Sequence, residues 1–316
     1  MGKILFIRGG AVGDFILTLP ALRLVREGLS DNHVEVLGYP SIASLATATG
    51  LADETRSIED AGLAPFFAPG AELDSAWSDY FASFDLVVSY LYDPDGFFSD
   101  NLERAGVGTL LRGPFRPEVA DPPVAAARQL ARPLEQIALF LDDPELNLDY
   151  AATVASPLPR SETTRVVLHP GSGSPSKNWS FESWLEVLGH LREAVESLEI
   201  VITCGEAERE RIDVFLEEAK RMGLDCRGLV DRSLPELGAL FGETDLYLGH
   251  DSGISHLAAS AGTAGYLLFG PTDPGVWAPV SSRMHPIVSP TGNMGGITVR
   301  QVLSELESWT CSQRRG

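Results

Sequence analysis

Three short stretches combine glycines with charged side chains, two of them with hydroxyls as well, at points where an apolar run gives way to helical spacing. The first is Arg8-Gly9-Gly10-Ala11-Val12-Gly13-Asp14. Its three glycines, Gly13 among them, let backbone approach a ligand closely. Asp14 falls at the first turn of the following helix, where a carboxylate can take up a proton or simply cap the helix. The string lacks the spacing of the dinucleotide fingerprint. The second, His169-Pro-Gly-Ser-Gly-Ser-Pro-Ser-Lys-Asn-Trp179, gathers Ser172, Gly173, Ser174 and Lys177 in one loop. Such a loop can cradle a phosphate or can be an ordinary solvated turn, and the order of residues is not that of a P-loop. The third, Gly249-His-Asp-Ser-Gly-Ile-Ser-His256, lies where a strand ends and a helix begins. Free backbone N–H groups there, with Ser252 and Gly253, suit a pyrophosphate. Asp251 reads as an acceptor for a sugar hydroxyl or as a cap, and His256 as a ligand contact or a hydrogen-bonded core residue. A Ser-His-Asp hydrolase would need the Gly-x-Ser-x-Gly elbow, which is missing.

Two other stretches are less specific. Phe269-Gly-Pro-Thr-Asp-Pro274 is a turn that either presents Thr272 to a ligand or is merely rigid. Asp93-Pro94-Asp95 has a spacing found in metal–nucleotide sites, yet followed by Gly96 it reads better as a turn. Arg104, Arg112, Arg116, Arg128 and Arg132 form a local basic excess in an otherwise acidic half. They are either solvated or, two or more together, a surface for phosphate or carboxylate groups.

Positioning these loops requires strands that end at them. Residues 3–8, 33–38 and 84–90 have strand character, and the spacing of Ile16, Leu19, Leu22 and Val25 predicts a helix, as do residues 41–49 and 128–141. A Pro-containing polar stretch at 156–164 interrupts this pattern. Beyond it the alternation resumes, with strands at 165–169, 198–204, 226–229, 246–249 and 266–269. The helices are expected at 181–195, 206–222, 234–243, 252–261 and 298–309. Alternating β and α elements imply parallel sheets covered by helices, hence an α/β protein of two Rossmann-like domains. The expected division is 1–157, 158–297 and a C-terminal helix and tail at 298–316.

Composition narrows the function. With 44 acidic residues against 24 Lys and Arg the formal net charge is −20, and 44% of residues are hydrophobic. This is a globular chain, and its charge disfavours nucleic acid. Cys204, Cys226 and Cys311 show no metal-ligand spacing and read as reduced thiols of a cytoplasmic protein. No apolar run reaches the ~18 residues of a membrane helix, so membrane contact is expected to be peripheral.

Taken together, KILFIRGGAVGDFILTLPALRLVR, HPGSGSPSKNWSFESW and GHDSGISHLAASAG with LFGPTDPGVWAP resemble glycosyltransferase family 9, the ADP-heptose:lipopolysaccharide heptosyltransferases. The resemblance implies the GT-B architecture: two Rossmann-like domains facing across a cleft, with a C-terminal helix crossing back to the first. It implies inverting transfer of heptose from a nucleotide-sugar, ADP-heptose, to a glycolipid or other cell-surface glycan of the lipopolysaccharide-core type. No cofactor and no metal are implied, and the location implied is the cytoplasmic face of the inner membrane. By position it makes Asp14 the general base and Lys177 a contact to donor phosphate. Asp251, Ser252, Gly253 and His256 become the donor-binding turn, and Glu206 the ribose contact. Gly13 with Ser172, Gly173 and Ser174 completes the expected donor site. Two alternatives keep the fold but change the chemistry, namely a nucleotide-sugar epimerase or hydrolase and a non-catalytic nucleotide-sugar-binding protein.

Overall fold

The computed structural model describes residues 2–160, 162–205 and 209–313. The chain forms two compact units, Met1–Pro144 and Glu145–Gly316.

The first unit is a five-stranded parallel sheet in the order β3-β2-β1-β4-β5, formed by β1 (Lys3–Arg8), β2 (His33–Gly38), β3 (Glu54–Ser57), β4 (Leu86–Ser89) and β5 (Leu110–Arg112). Parallel strands need crossovers, and α1 (Val12–Ile16), α2 (Leu19–Gly28), α3 (Pro40–Ala48), α4 (Ser75–Ala82), α5 (Phe97–Arg104) and α6 (Ala126–Ala131) punctuate them. On one face Leu5, Ile7 and Val87 pack with Phe66, Trp77, Phe81 and Phe98. Sequence periodicity predicts one helix through residues 16–25. The structure breaks it at Leu17–Thr18, just before Pro20 at the start of α2, because proline has no N–H to continue the α1 ladder. The expected helix 128–141 is likewise corrected: α6 ends at Ala131, Pro133 forces a 3-10 turn over Arg132–Ile137, and Ala138 closes it at φ 59°.

The second unit is a six-stranded parallel sheet in the order β11-β10-β9-β6-β7-β8. Its strands are β6 (Thr164–Leu168), β7 (Leu198–Cys204), β8 (Cys226–Val230), β9 (Leu246–His250), β10 (Gly265–Phe269) and β11 (Met284–Val288). The helices are α7 (Phe181–Ala194), α8 (Arg209–Arg221), α9 (Leu234–Gly242), α10 (Gly253–Ser260), α11 (Pro274–Trp277) and α12 (Val299–Gln313). Numbered within the unit, the order is 3-2-1-4-5-6, that of a dinucleotide-binding Rossmann sheet, and the first unit has the same order without its sixth strand. The C-terminal helix α12 packs on α7, burying Val302 and Leu306 in a core with Trp184, Leu188 and Leu191.

The units divide ahead of the Pro-containing stretch at 156–164, and side chains after Pro144 show why. Glu145 accepts hydrogen bonds from the Ser282 N–H and hydroxyl, and the Leu148 N–H donates to the Ser260 carbonyl at 2.7 Å. Buried Tyr150 meets the Ser260 hydroxyl at 2.9 Å and lays its ring on Gly238 of α9. A Cβ at Gly238 would stand 2.6–2.9 Å from three ring atoms. Gly238→Ala is therefore expected to destabilise the second unit by about 1–3 kcal/mol, as overpacked cores do. A lower urea midpoint with an unchanged slope checks this, and an unchanged or raised midpoint contradicts the docking of Tyr150.

Candidate functional site

In a doubly wound sheet the loops on either side of the point where strand order reverses diverge, leaving a crevice at the carboxyl ends of the strands. In the second unit that point lies between β6 and β9. The loop after β6 is the glycine- and serine-rich stretch, and the turn after β9 carries Asp251 and Ser252.

These two segments are joined by charge. Lys177 Nζ lies 2.6 Å from Asp251 Oδ2, and the Thr272 hydroxyl, in the turn after β10, donates to the same oxygen at 2.7 Å. Asp251 is 8% exposed, whereas Lys177 remains partly open to solvent. The loop before Lys177 is tied internally: Ser172 Oγ lies 2.7 Å from Asn178 Oδ1 and 2.8 Å from the Ser174 carbonyl, and a 3-10 turn spans Pro175–Lys177. A Cβ at exposed Gly173 would meet nothing within 4 Å, so protein packing does not demand glycine there. Ser252 caps α10 by accepting from the Ser255 N–H at 3.3 Å. His256 is buried one turn further on.

Beneath the loop sit two further imidazoles. Burial pushes His169 down to about 4 and His250 down to about 3, so both are neutral near pH 7. His169 Nδ1 is 3.1 Å from the Thr203 hydroxyl. His250 Nε2 accepts from the Trp179 N–H at 2.9 Å and from the Trp184 indole at 3.3 Å.

In the first unit order reverses between β1 and β4. Gly10, at φ +96°, turns the chain so that Asp14 folds back, and Asp14 Oδ2 accepts from the Ala11 N–H at 3.0 Å. A Cβ at Gly10 would stand 2.9 Å from that oxygen. Asp14 thus helps to cap α1, and its side chain is nevertheless 37% exposed. Below it is Arg8, which is 2% exposed. Its guanidinium donates to the carbonyls of Asp14 (3.3 Å), Tyr90 (3.3 Å) and Phe115 (3.0 Å), fastening together the segments after β1, β4 and β5. Asp14 Oδ1 is 3.9 Å from the same guanidinium. Burial lowers the Arg8 pKa, with Asp14 and Tyr90 opposing the shift.

Comparison with known proteins identifies the family. The profile described as Glycosyltransferase family 9 (heptosyltransferase) matches residues 109–302. The chain belongs to glycosyltransferase family 9. It is 32% identical over 118 residues to lipopolysaccharide heptosyltransferase 3 of Escherichia coli, covering 36% of this chain and 33% of that protein. It is 26% identical over 186 residues to lipopolysaccharide heptosyltransferase 1 of Salmonella typhimurium, covering 57% and 56% respectively. The matches thus span between a third and about half of those relatives. The fold is also that of the E. coli heptosyltransferase WaaC with ADP, at 18% identity and a TM-score of 0.72 over 97% of this chain and 99% of that one.

The other residues of this family-9 chain fall into place less evenly. Gly13 lies in α1 of the first unit, and Glu206 lies outside the described residues. Asp93 caps α5, accepting from the Phe98 and Ser99 N–H groups and the Ser99 hydroxyl. Burial works against its charge, but those bonds and nearby Arg112 outweigh it and hold the pKa below the ordinary value. Of the five arginines, Arg104 and Arg128 donate to backbone carbonyls. Arg112 instead lines a cavity of about 200 Å3 with Ser89, Tyr92, Asp93, Ser99 and Phe115. Exposed Tyr92 and Phe115 stand at 5.4 Å between ring centroids. His33, Glu35 and Glu54 gather their ligand atoms within 4.8 Å, but Tyr80 and Arg56 already engage Glu35. Cys204, Cys226 and Cys311 form no disulfide.

Thr272 is singled out by the sequence only as a residue its turn could present to a ligand, and Arg8 and His250 only as members of glycine-containing strings, without the partners that define their roles. Each acts through partners 21 or more residues away, Arg8 at Phe115, Thr272 at Asp251 and His250 at Trp179.

The two buried imidazoles make acid stability testable. Unfolded, each takes up a proton near pH 6.5, whereas folded they resist until about pH 4 and about pH 3. The neutral rings therefore contribute stability fully above pH 6.5, and it is lost as pH falls through that window, at up to about 1.4 kcal/mol per pH unit for each ring. Urea unfolding followed by tryptophan fluorescence should show this decline between pH 6.5 and 4.5. A flat profile there would contradict the burial of neutral His169 and His250.

Proposed function

We propose that this family-9 protein is an inverting glycosyltransferase that moves a heptose from a nucleotide diphosphate sugar, ADP-heptose, to a glycan of the lipopolysaccharide-core type. The observation that carries the reading is the meeting of Lys177, Asp251 and Thr272 at the switch point of the second unit. Such crevices bind nucleotides, and the E. coli relative of the same fold was determined with ADP.

The donor diphosphate sits against Lys177 and the 172–174 loop, with the start of α10 at Ser252 and Gly253 offering backbone N–H groups. As the bond from the anomeric carbon to the diphosphate oxygen lengthens, negative charge grows on the leaving group and positive character on the sugar. Lys177 stabilises the former, since a fixed cation favours charge that develops in the transition state. Asp251 then serves to hold Lys177 and to accept from a sugar hydroxyl through its second oxygen. Glu206 is assigned to the ribose, and His256, buried one turn into α10, to the donor-binding turn. The acceptor hydroxyl attacks from the opposite face and Asp14 takes its proton, so the new glycosidic bond has inverted configuration. No metal ion has a part in this scheme. The acceptor is a glycolipid, reached by peripheral contact with the inner membrane; among the described residues no helix is long and apolar enough to cross a bilayer.

Radiolabelled transfer to a lipopolysaccharide-core acceptor tests the scheme. Asp14→Asn keeps an oxygen for the Ala11 N–H and so keeps the cap, while removing the base. It should lower kcat by about 10²–10⁴ with donor affinity nearly unchanged. Lys177→Ala should raise the donor KM and lower kcat, and EDTA should change neither parameter of the unaltered enzyme. An active Asp14→Asn enzyme removes the base assignment, and sugar release without acceptor would replace transfer by hydrolysis. Activity lost in chelator and restored by Mg²⁺ would end the metal-free scheme.

Arg112 tests the acceptor side separately. Its guanidinium in the cavity edged by Tyr92 and Phe115 suits a carboxylate or phosphate on the acceptor. Arg112→Gln should raise the acceptor KM and flatten its salt dependence, leaving the donor KM unchanged. Unchanged acceptor kinetics at low ionic strength would take Arg112 out of the site.

A further inference from the structure

We propose that His250 is a positioning residue for the donor diphosphate: by accepting the Trp179 N–H it fixes the end of the 172–178 loop and so sets Lys177 beside Asp251. This rests on the donor-site reading above and adds a residue that does not touch the donor itself.

The geometry is specific. His250 is the last residue of β9 and is fully buried. Its Nε2 accepts two donors at once, the main-chain N–H of Trp179 and the indole N–H of Trp184, whose ring stands edge-on at 5.4 Å. Only the tautomer with its proton on Nδ1 can do this. Nδ1 is itself buried without a hydrogen-bond partner of good geometry, and the Gly171 backbone, in the same loop, favours its proton. The Lys177 N–H bonds to the Ser174 carbonyl and the Asn178 N–H to the Pro175 carbonyl, so the turn that carries Lys177 is internally stiff. What sets its place on the sheet is its exit at Trp179. There the main chain is held by His250, and the indole of Trp179 donates to the Ile297 carbonyl at 3.0 Å. Consecutive residues of β9 and its turn thus grip the same short segment twice. His250 takes the backbone two residues after Lys177, and Asp251 takes the Lys177 ammonium.

An apolar residue of similar size would fill the space but leave the Trp179 and Trp184 N–H groups buried without an acceptor. The requirement is for an acceptor at the position of Nε2. A glutamine carbonyl can reach that place, whereas the shorter asparagine cannot.

Isothermal titration of the full chain with ADP, and with UDP in parallel, provides the test. His250→Asn is expected to weaken binding of the preferred nucleotide about tenfold, equivalent to about 1.4 kcal/mol, and His250→Gln to restore it to within about threefold of the unaltered protein. In a Lys177→Ala background the Asn substitution should have little further effect, because its action runs through Lys177. Should His250→Asn fail to fold, His250→Leu takes its place with the same expectation. A His250 variant that melts earlier yet binds as the unaltered protein overturns the proposal. So does full additivity with Lys177→Ala, or a glutamine variant no better than asparagine. An unaltered protein that binds neither nucleotide overturns the donor-site reading instead, and the two failures are thereby distinct.

Discussion

The ion pair between Lys177 and Asp251 joins two loops that the topology would otherwise let diverge. Asp251 is largely withdrawn from water, and taking a carboxylate out of water costs several kcal/mol unless it is paired and hydrogen-bonded. Lys177 and Thr272 meet that need on a single oxygen. The arrangement therefore stabilises the fold only weakly, because the attraction is largely offset by desolvation. What it fixes is geometry. Three segments, following β6, β9 and β10, acquire one relative position at the carboxyl end of the sheet.

The first unit solves the same problem with different chemistry. There the central cation is Arg8, the last residue of β1, and it is buried rather than half-exposed. A guanidinium is a planar fork of donors, which lets one side chain bind the carbonyls of Asp14, Tyr90 and Phe115 together. A lysine in its place would offer a point charge without that fork. Arg8 therefore belongs to the frame, and Asp14, above it, caps α1 through one oxygen while its side chain stays 37% exposed.

Much of this was legible locally and some of it was not. Strands flanked by glycine-rich turns stand out in the sequence, and β1, β2, β6, β7, β9 and β10 lie within a residue or so of where periodicity puts them. The strands that were missed lack a periodic signal: β3 is Glu-Thr-Arg-Ser with no fully buried residue, β5 has three residues, and β11 carries a histidine and a proline in its middle. Helices α4 and α5 are short, each with one i,i+4 apolar pair in the core (Trp77 and Phe81, Phe98 and Leu102), and their starts are set by Asp74 accepting from the Trp77 N–H and by Gly96 taking a left-handed φ of 76°. At the site, residue types on glycine-rich loops pointed to Asp14, Lys177 and Asp251. Their partners could not be seen, since the contact of Thr272 with Asp251 depends on β10 lying beside β9.

Electrostatics gives the site its remaining constraint. A chain of net charge −20 repels an anionic nucleotide at long range, so in the proposed scheme affinity has to come from short-range contacts within a screening length of the cation. Lys177 is already partnered by Asp251, yet an ammonium has three N–H donors and uses one on that carboxylate. The rest can turn toward a phosphate without breaking the pair. In the proposed scheme Asp251 keeps a near-neutral couple in place of a bare lysine, which moderates how tightly the diphosphate is held before reaction. Uniformly tight binding of substrate and product would not speed transfer, whereas a cation whose charge is called on as the leaving group becomes more negative does. In the proposed scheme the Lys177 cation favours the diphosphate most when its charge is greatest, and the Asp251 carboxylate beside it fixes where that cation stands.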